Sequence, residues 1–168
     1  MTDQMIEILI REGGGGFKPE EFLDNRDQLE PNIVMEIVAF RNWKEIIDRG
    51  IMLQITSAMR YYGSHKLGLA LDFLMWTKWR EEQPNIYTMW CLMTTWPWMG
   101  VGIYFDWKDG IGFHADIINP PHRQRPLRWL RVNGVYYYQS MTDGRFHNKK
   151  KGATTLEEQI RKYKGNHG

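Results

Sequence analysis

Two histidines and an aspartate, His65, Asp72 and His114, are the residues whose types and spacing best support chemistry. His65 and Asp72 stand seven residues apart in Ser64-His65-Lys66-Leu67-Gly68-Leu69-Ala70-Leu71-Asp72, with small residues between them. The second half of the chain supplies Gly112-Phe113-His114-Ala115-Asp116. Neutral imidazole and carboxylate oxygen both suit a borderline divalent metal such as zinc. Three protein ligands leave a fourth position open for water. A carboxylate amid apolar strand residues is costly unless it is paired or metal-bound. A buried arginine or backbone donors would satisfy Asp72 as well, so spacing alone leaves both readings open.

The elements that must position these residues are legible nearby. Residues 51–57 are short, apolar and rich in β-formers, and read as a buried strand. Residues 58–63 lead out of it as a loop, which puts Arg60 just past a strand end and shortly before His65. Residues 69–73 read as the next strand, with Ala70 and Asp72 on one face and Leu69, Leu71 and Phe73 on the other. Residues 100–105 and 111–117 read as a hairpin turning through Asp106-Trp107-Lys108-Asp109-Gly110, where Asp-Gly is a strong turn pair. Gly112, His114 and Asp116 then share a face. At about 3.3 Å of rise per residue, His114 and Asp116 lie about 6.6 Å apart, close enough to line one cleft but not to bind one ion side by side.

The rest of the chain reads as scaffold. Residues 5–10 suggest a short strand or lead-in segment. Gly13 to Gly16 suggest a flexible loop, since no Lys-Ser/Thr follows at phosphate-loop spacing. A short helix is expected at 17–22, with Pro19 in its first turn. A longer one is expected from Pro31 to about Arg49, stopped by Gly50, with Ile33, Val34, Ile37, Val38, Phe40 and Ile47 on its apolar side. Ile86, Met89, Trp90 and Met93 recur at helical spacing within 84–95. Leu127 to Leu130 and Val135 to Tyr138 look like strands joined by Asn133-Gly134. Lys149, Lys150 and Lys151 read as a solvated run. Thr155 and Glu158 form a capping box for a last helix over about 155–164. The expected architecture is α+β, a mainly antiparallel sheet with N-terminal helices and one inserted helix.

Composition bounds the function. The 168 residues fit one domain, with 42% apolar and 25% charged residues as in globular chains. A net charge of +2 and pI of 8.6 are too mild to argue for nucleic acid, despite Arg123, Arg125, Arg128, Arg131 and the lysine run. The lone Cys91 allows no intrachain disulfide. No apolar run reaches membrane-span length, and the N-terminal residues do not read as a signal peptide. Eight tryptophans read as core packing, or alternatively as an aromatic substrate surface. His122, in a Pro-flanked loop, reads as a surface or rim residue.

The motif residues resemble a known family. Ser64-His65-x-x-Gly68-x-Ala70-x-Asp72 is similar to the first signature of the D-Ala-D-Ala carboxypeptidase family of zinc peptidases, and Phe113-His114-Ala115-Asp116 resembles its second. Ile55 to Arg60, Phe17 to Phe22, Gly100 to Tyr104 and the pair Arg128-Trp129 also resemble family segments, in order, over about residues 17–138. The resemblance implies the α+β fold shared with Hedgehog signalling domains, in its phage and bacterial peptidoglycan-peptidase branch. It implies one zinc ion on His65, Asp72 and His114, and Arg60 steadying substrate or developing oxyanion. The implied substrate is a peptide bond of the peptidoglycan stem peptide, cut by a carboxypeptidase or L-Ala-D-Glu endopeptidase. It further implies a monomer without nucleic-acid or membrane partners, made without a signal peptide and acting at the bacterial cell wall, as phage lytic enzymes do.

One position departs from the family. The carboxylate that serves as general base, three residues before the second zinc histidine, is here Ile111. Asp109 and Asp116 are the candidate replacements. The same departure raises a second expectation, a zinc-binding but non-catalytic virion or wall-binding domain.

Overall fold

The computed structural model describes residues 2–22, 28–57, 63–78, 82–118 and 126–167. Residues 5–10 lie in a helix, α1 (Asp3–Glu12), not a strand. Thr2 caps it, its Oγ1 accepting from Met5 N–H at 3.3 Å, and Ile6 and Ile10 bury one stripe. An i, i+4 pair on a capped segment outweighs the short alternating run that suggested a strand. The glycine run that follows is tied down, because Asn42 Nδ2 donates to Gly13 O (3.0 Å) and Gly15 O (2.9 Å). The short helix expected at 17–22 is a 3-10 turn confined to Pro19–Phe22.

The long helix expected over 31–49 is two helices, α2 (Pro31–Arg41) and α3 (Lys44–Asp48). The break falls at Asn42, whose side chain serves the glycine loop, and at Trp43, whose backbone is extended. Trp43 packs against Phe40 and Trp96, at ring separations of 6.2 and 5.5 Å. The break also turns Ile47, expected on the apolar side, out to 58% exposure. α4 (Ile86–Thr95) is capped by Asn85 and buries Ile86, Met89, Leu92 and Met93. α5 (Leu156–His167) starts at the expected capping box, with Glu158 N–H donating to Thr155 Oγ1 and Thr155 N–H to a Glu158 carboxylate oxygen. No helix among the described residues is long and apolar enough to cross a membrane.

Eight strands form one sheet: β1 (Ile51–Ser57), β2 (Ala70–Thr77), β3 (Gly100–Trp107), β4 (Gly110–Asp116), β5 (Leu127–Val132), β6 (Val135–Gln139), β7 (Phe146–Asn148) and β8 (Gly152–Thr154). Their order is β1-β2-β4-β3-β5-β6-β7-β8. The fold is α+β, but the sheet is mixed rather than mainly antiparallel, because β3 and β5 run parallel. Edge availability explains this. β2 occupies the outer edge of β4, so the chain leaving Asp116 must pass to the open edge of β3. It enters there opposite Gly100, the start of β3, and so runs in the same direction. β7 and β8, three residues each, carry no sequence signal and flank the exposed Lys149, Lys150 and Lys151.

Strand alternation sorts the two faces. Leu71, Phe73 and Met75 of β2, Phe113 and Ala115 of β4, Val101 and Ile103 of β3 and Leu130 of β5 form the core with α2 and α4 residues. Phe40 of α2 lies 6.3 Å from Phe73 and 5.7 Å from Trp98. Residues on the alternate positions, starting with Asp72 and His114, form the opposite face.

Candidate metal centre

Asp72 and His114 are direct cross-strand partners in β2 and β4. Opposite residues of an antiparallel pair project to one face with Cβ atoms about 5 Å apart. His114 Nδ1 consequently lies 2.8 Å from Asp72 Oδ1. His65 arrives from the 3-10 turn Gly63–Leu67 just before β2. Gly68 makes that approach possible: its φ is +66°, and a Cβ there would sit 2.2 Å from Gln28 O. Gly68 N–H donates to His65 O, and Gly68 O accepts from Glu30 N–H, each at 3.0 Å. The small residue at 68 thus serves the turn that carries His65.

His65 Nε2 stands 3.2 Å from Asp72 Oδ1 and 3.2 Å from His114 Nδ1. The three atoms form a triangle with edges of 2.8 to 3.2 Å, and all three residues are buried. Protons can satisfy Asp72 Oδ1, which has two lone pairs, but they leave the two facing nitrogens 3.2 Å apart in competition. If both nitrogens carry hydrogens toward Asp72, their dipoles oppose each other. If either lacks one, its lone pair faces the carboxylate. A cation among them satisfies all three lone pairs at once. A tetrahedral divalent ion with bonds of about 2.0–2.2 Å spaces its ligands by about 3.3–3.6 Å, a few tenths more than the triangle shows. His65, Asp72 and His114 could therefore hold a metal ion.

The electrostatics fit the same picture. Burial alone would raise the Asp72 carboxyl, but hydrogen bonds and charge from His114 and His65 hold it well below the usual carboxylate range. Burial likewise works against a charged His114, yet hydrogen bonds and charge from Asp116 and Asp72 push it up to about 9. Such opposed shifts within one buried cluster mark a site where charge has been collected rather than avoided.

The other expected residues divide. Asp116 joins the cluster from behind: its Oδ2 lies 3.3 Å from His114 Nε2, and its Oδ1 accepts from Ile118 N–H at 3.2 Å. It reaches the nitrogen of His114 that points away from Asp72. Asp109 is exposed in the β3–β4 turn, five residues from His114, about 17 Å of strand. That turn is tight, with Trp107 pairing Gly110, so it does not bring Asp109 back toward the centre. Ile111 is buried on the core face. Arg60 and His122 lie outside the described residues.

Trp129, next to Arg128 on β5, has its ring centre 4.9 Å from that of His114, a contact that its sequence neighbours do not signal. Its indole lies over Gly102, where a Cβ would meet the ring at 2.4 Å. Trp107 covers Gly112 in the same way, at 2.1 Å. Glycines inside strands mark such close approaches, and Gly100-x-Gly102 and Gly110-x-Gly112 were that signal. Trp98 and Trp129 are buried, as core packing expects, and Trp107 and Trp129 lie on the sheet face that carries His114.

No family model, curated protein or solved structure matches the chain.

Proposed function

We propose that this protein is a zinc-dependent peptidase that hydrolyses a peptide bond in peptidoglycan stem peptides. The observation that carries the reading is the buried triangle of His65, Asp72 and His114, with edges of 2.8 to 3.2 Å. Motif order and spacing supply the substrate class, by resemblance to D-Ala-D-Ala carboxypeptidases and the Hedgehog-like fold. On this reading the chain acts at the bacterial cell wall, as a lytic enzyme of phage type.

Two neutral imidazole nitrogens and one carboxylate form a ligand set that zinc favours and that leaves a coordination position open. When bound there, zinc activates water near neutral pH and polarises a carbonyl. The chain's own residues do the rest. Asp72 keeps its charge and would hold the metal beside His65 Nε2 and His114 Nδ1. Asp116 fixes His114 through the far nitrogen, as carboxylates behind metal-bound histidines do. Trp129 walls the centre beside His114 and limits water. By resemblance, Arg60 would stabilise the oxyanion, an interaction that usually weighs heavily in acyl chemistry.

A second reading has its own support. Ile111 stands buried where the family carries its base, and Asp109 is exposed at the turn. This arrangement favours a zinc-binding wall or virion domain without turnover. Elemental analysis of purified protein and mass spectrometry of fragments from a defined peptidoglycan separate the two. One zinc per chain with released peptides supports the peptidase. Zinc without cleavage supports the binding domain. Hydrolysis unchanged by His65→Ala rules out the site.

A further inference from the structure

We propose that Tyr136 and Tyr138, with the lysine turn beside them, form a platform for the N-acetylated sugar chain from which the stem peptide hangs. The proposal rests on the peptidase reading and extends its substrate from a peptide to the polymer carrying it.

Tyr136 and Tyr138 alternate along β6 and are 39% and 49% exposed, while Tyr137 between them packs against the core. The strand is therefore anchored without them, and their exposure serves no packing need. Their rings are nearly parallel, 17° between planes, with centroids 6.5 Å apart. They also stand on the face of the metal centre. The register runs Asp72, His114, Gly102, Trp129, Tyr138 across five neighbouring strands. Tyr138 is three strand spacings from His114, about 14 Å. An extended peptide covers that in about four residues, the span of a short stem peptide.

The surroundings of the pair suit a sugar. Arg131 bridges it to the centre's aromatic wall, its guanidinium 5.9 Å from the Tyr136 ring and 5.0 Å from that of Tyr104. Tyr104 in turn stacks on Trp107 at 5.1 Å. Asn148 fastens the lysine turn to the platform: Nδ2 donates to Tyr136 O at 2.8 Å, while Oδ1 accepts from Lys150 and Lys151 N–H. Two nearly parallel exposed rings 6.5 Å apart, close to the spacing of consecutive pyranoses, offer apolar surface to sugar C–H groups. The lysines complement carboxylates borne by stem peptides. Stacking rings and lysines would also attract single-stranded nucleic acid. His147, in register with Tyr138 and paired with Asp143 at 3.0 Å, adds a donor and acceptor at the platform's edge that suit sugar hydroxyls, and titration separates the two ligands.

The test is calorimetric titration with the tetrasaccharide of β-linked N-acetylglucosamine. The titrated proteins are the wild-type chain, Tyr136→Ala/Tyr138→Ala, Tyr136→Phe/Tyr138→Phe and His65→Ala. Wild type, the Phe pair and His65→Ala are expected to bind alike. The Ala pair, with an unchanged melting profile, should lose about tenfold or more in affinity. Failure of wild type to bind overturns the proposal, as does equal binding by the Ala pair. Binding of a single-stranded thymidine oligonucleotide in place of the sugar also overturns it. Sugar binding without any peptide hydrolysis would instead sink the peptidase reading and leave the platform standing.

Discussion

Asp72 and His114 face each other across β2 and β4 with Oδ1 and Nδ1 2.8 Å apart, the shortest edge of the buried triangle. The pair is fixed by backbone ladder hydrogen bonds rather than by flexible loop positions. Only His65 depends on a turn. A metal held there would take its position from this pair, and loss of Asp72, the one anionic ligand of the three, should be the most damaging. Asp72→Ala is expected to bring zinc content from one per chain to near zero by elemental analysis. His65→Ala should lower affinity while leaving a residual two-ligand site.

Asp116 offers a sharper division between roles. If it positions His114, Asp116→Asn should weaken zinc binding by roughly 10- to 100-fold in chelator competition. Any turnover should then recover at saturating zinc. If it were the general base, affinity would hold and turnover would stay depressed by about 10²–10⁴ at every zinc concentration.

The titration of His114 has a definite sign. Its folded value of about 9 lies above its ordinary 6.5, so without metal its proton stabilises the fold. That contribution is fully present below 6.5 and is lost as pH rises through about 9. Metal binding requires the neutral ring and must displace that proton. Zinc affinity should thus fall by about tenfold per pH unit below 9 for this one proton. The melting-temperature gain from zinc should grow between pH 6.5 and 9. A pH-independent gain would show that His114 is not a ligand.

Gly68 and Gly134 both have positive φ, +66° and +75°, but only Gly68 faces backbone at 2.2 Å. Gly134→Ala should cost about 1 kcal/mol, the conformational price alone. Gly68→Ala adds the clash with Gln28 O and should cost about 2–4 kcal/mol, with weaker zinc binding because His65 rides on that turn. Equal denaturation midpoints for the two variants would contradict the account.

Only part of the centre is local in the sequence. Period-two alternation puts Ala70 with Asp72, and Gly112 with His114 and Asp116, each on its own strand's face, and an aspartate among Leu71 and Phe73 demands a counterpart. That the two strands pair and that His65 joins them is implied in the sequence only by the family resemblance, and the β2–β4 register supplies the pairing. What sequence reading missed is set by distant partners. The break between α2 and α3 exists because Asn42 bonds carbonyls 27 and 29 residues earlier. The parallel run of β5 follows from which sheet edge β2 leaves open. Trp129 reaches His114 only because β3, with Gly102 in register, lies between their strands. α1 was missed for another reason: six residues of mixed apolar and polar type fit either period, and Thr2 as cap decides between them.

Asp109 provides the remaining test of the chemistry. It is exposed at the tip of the β3–β4 hairpin, about 17 Å of strand from His114. A general base must come within about 3 Å of the proton it takes, directly or through one water. The hairpin is too tightly closed to supply that reach, since Trp107 pairs Gly110 and Gln83 clamps Ile111 through both its backbone N–H and carbonyl. Asp109→Ala should accordingly leave zinc affinity and any turnover within about twofold of wild type, a change too small to represent a lost base. A loss of two or more orders of magnitude in kcat at full zinc occupancy would mean that the hairpin folds over the substrate. The base would then be supplied from the turn after all.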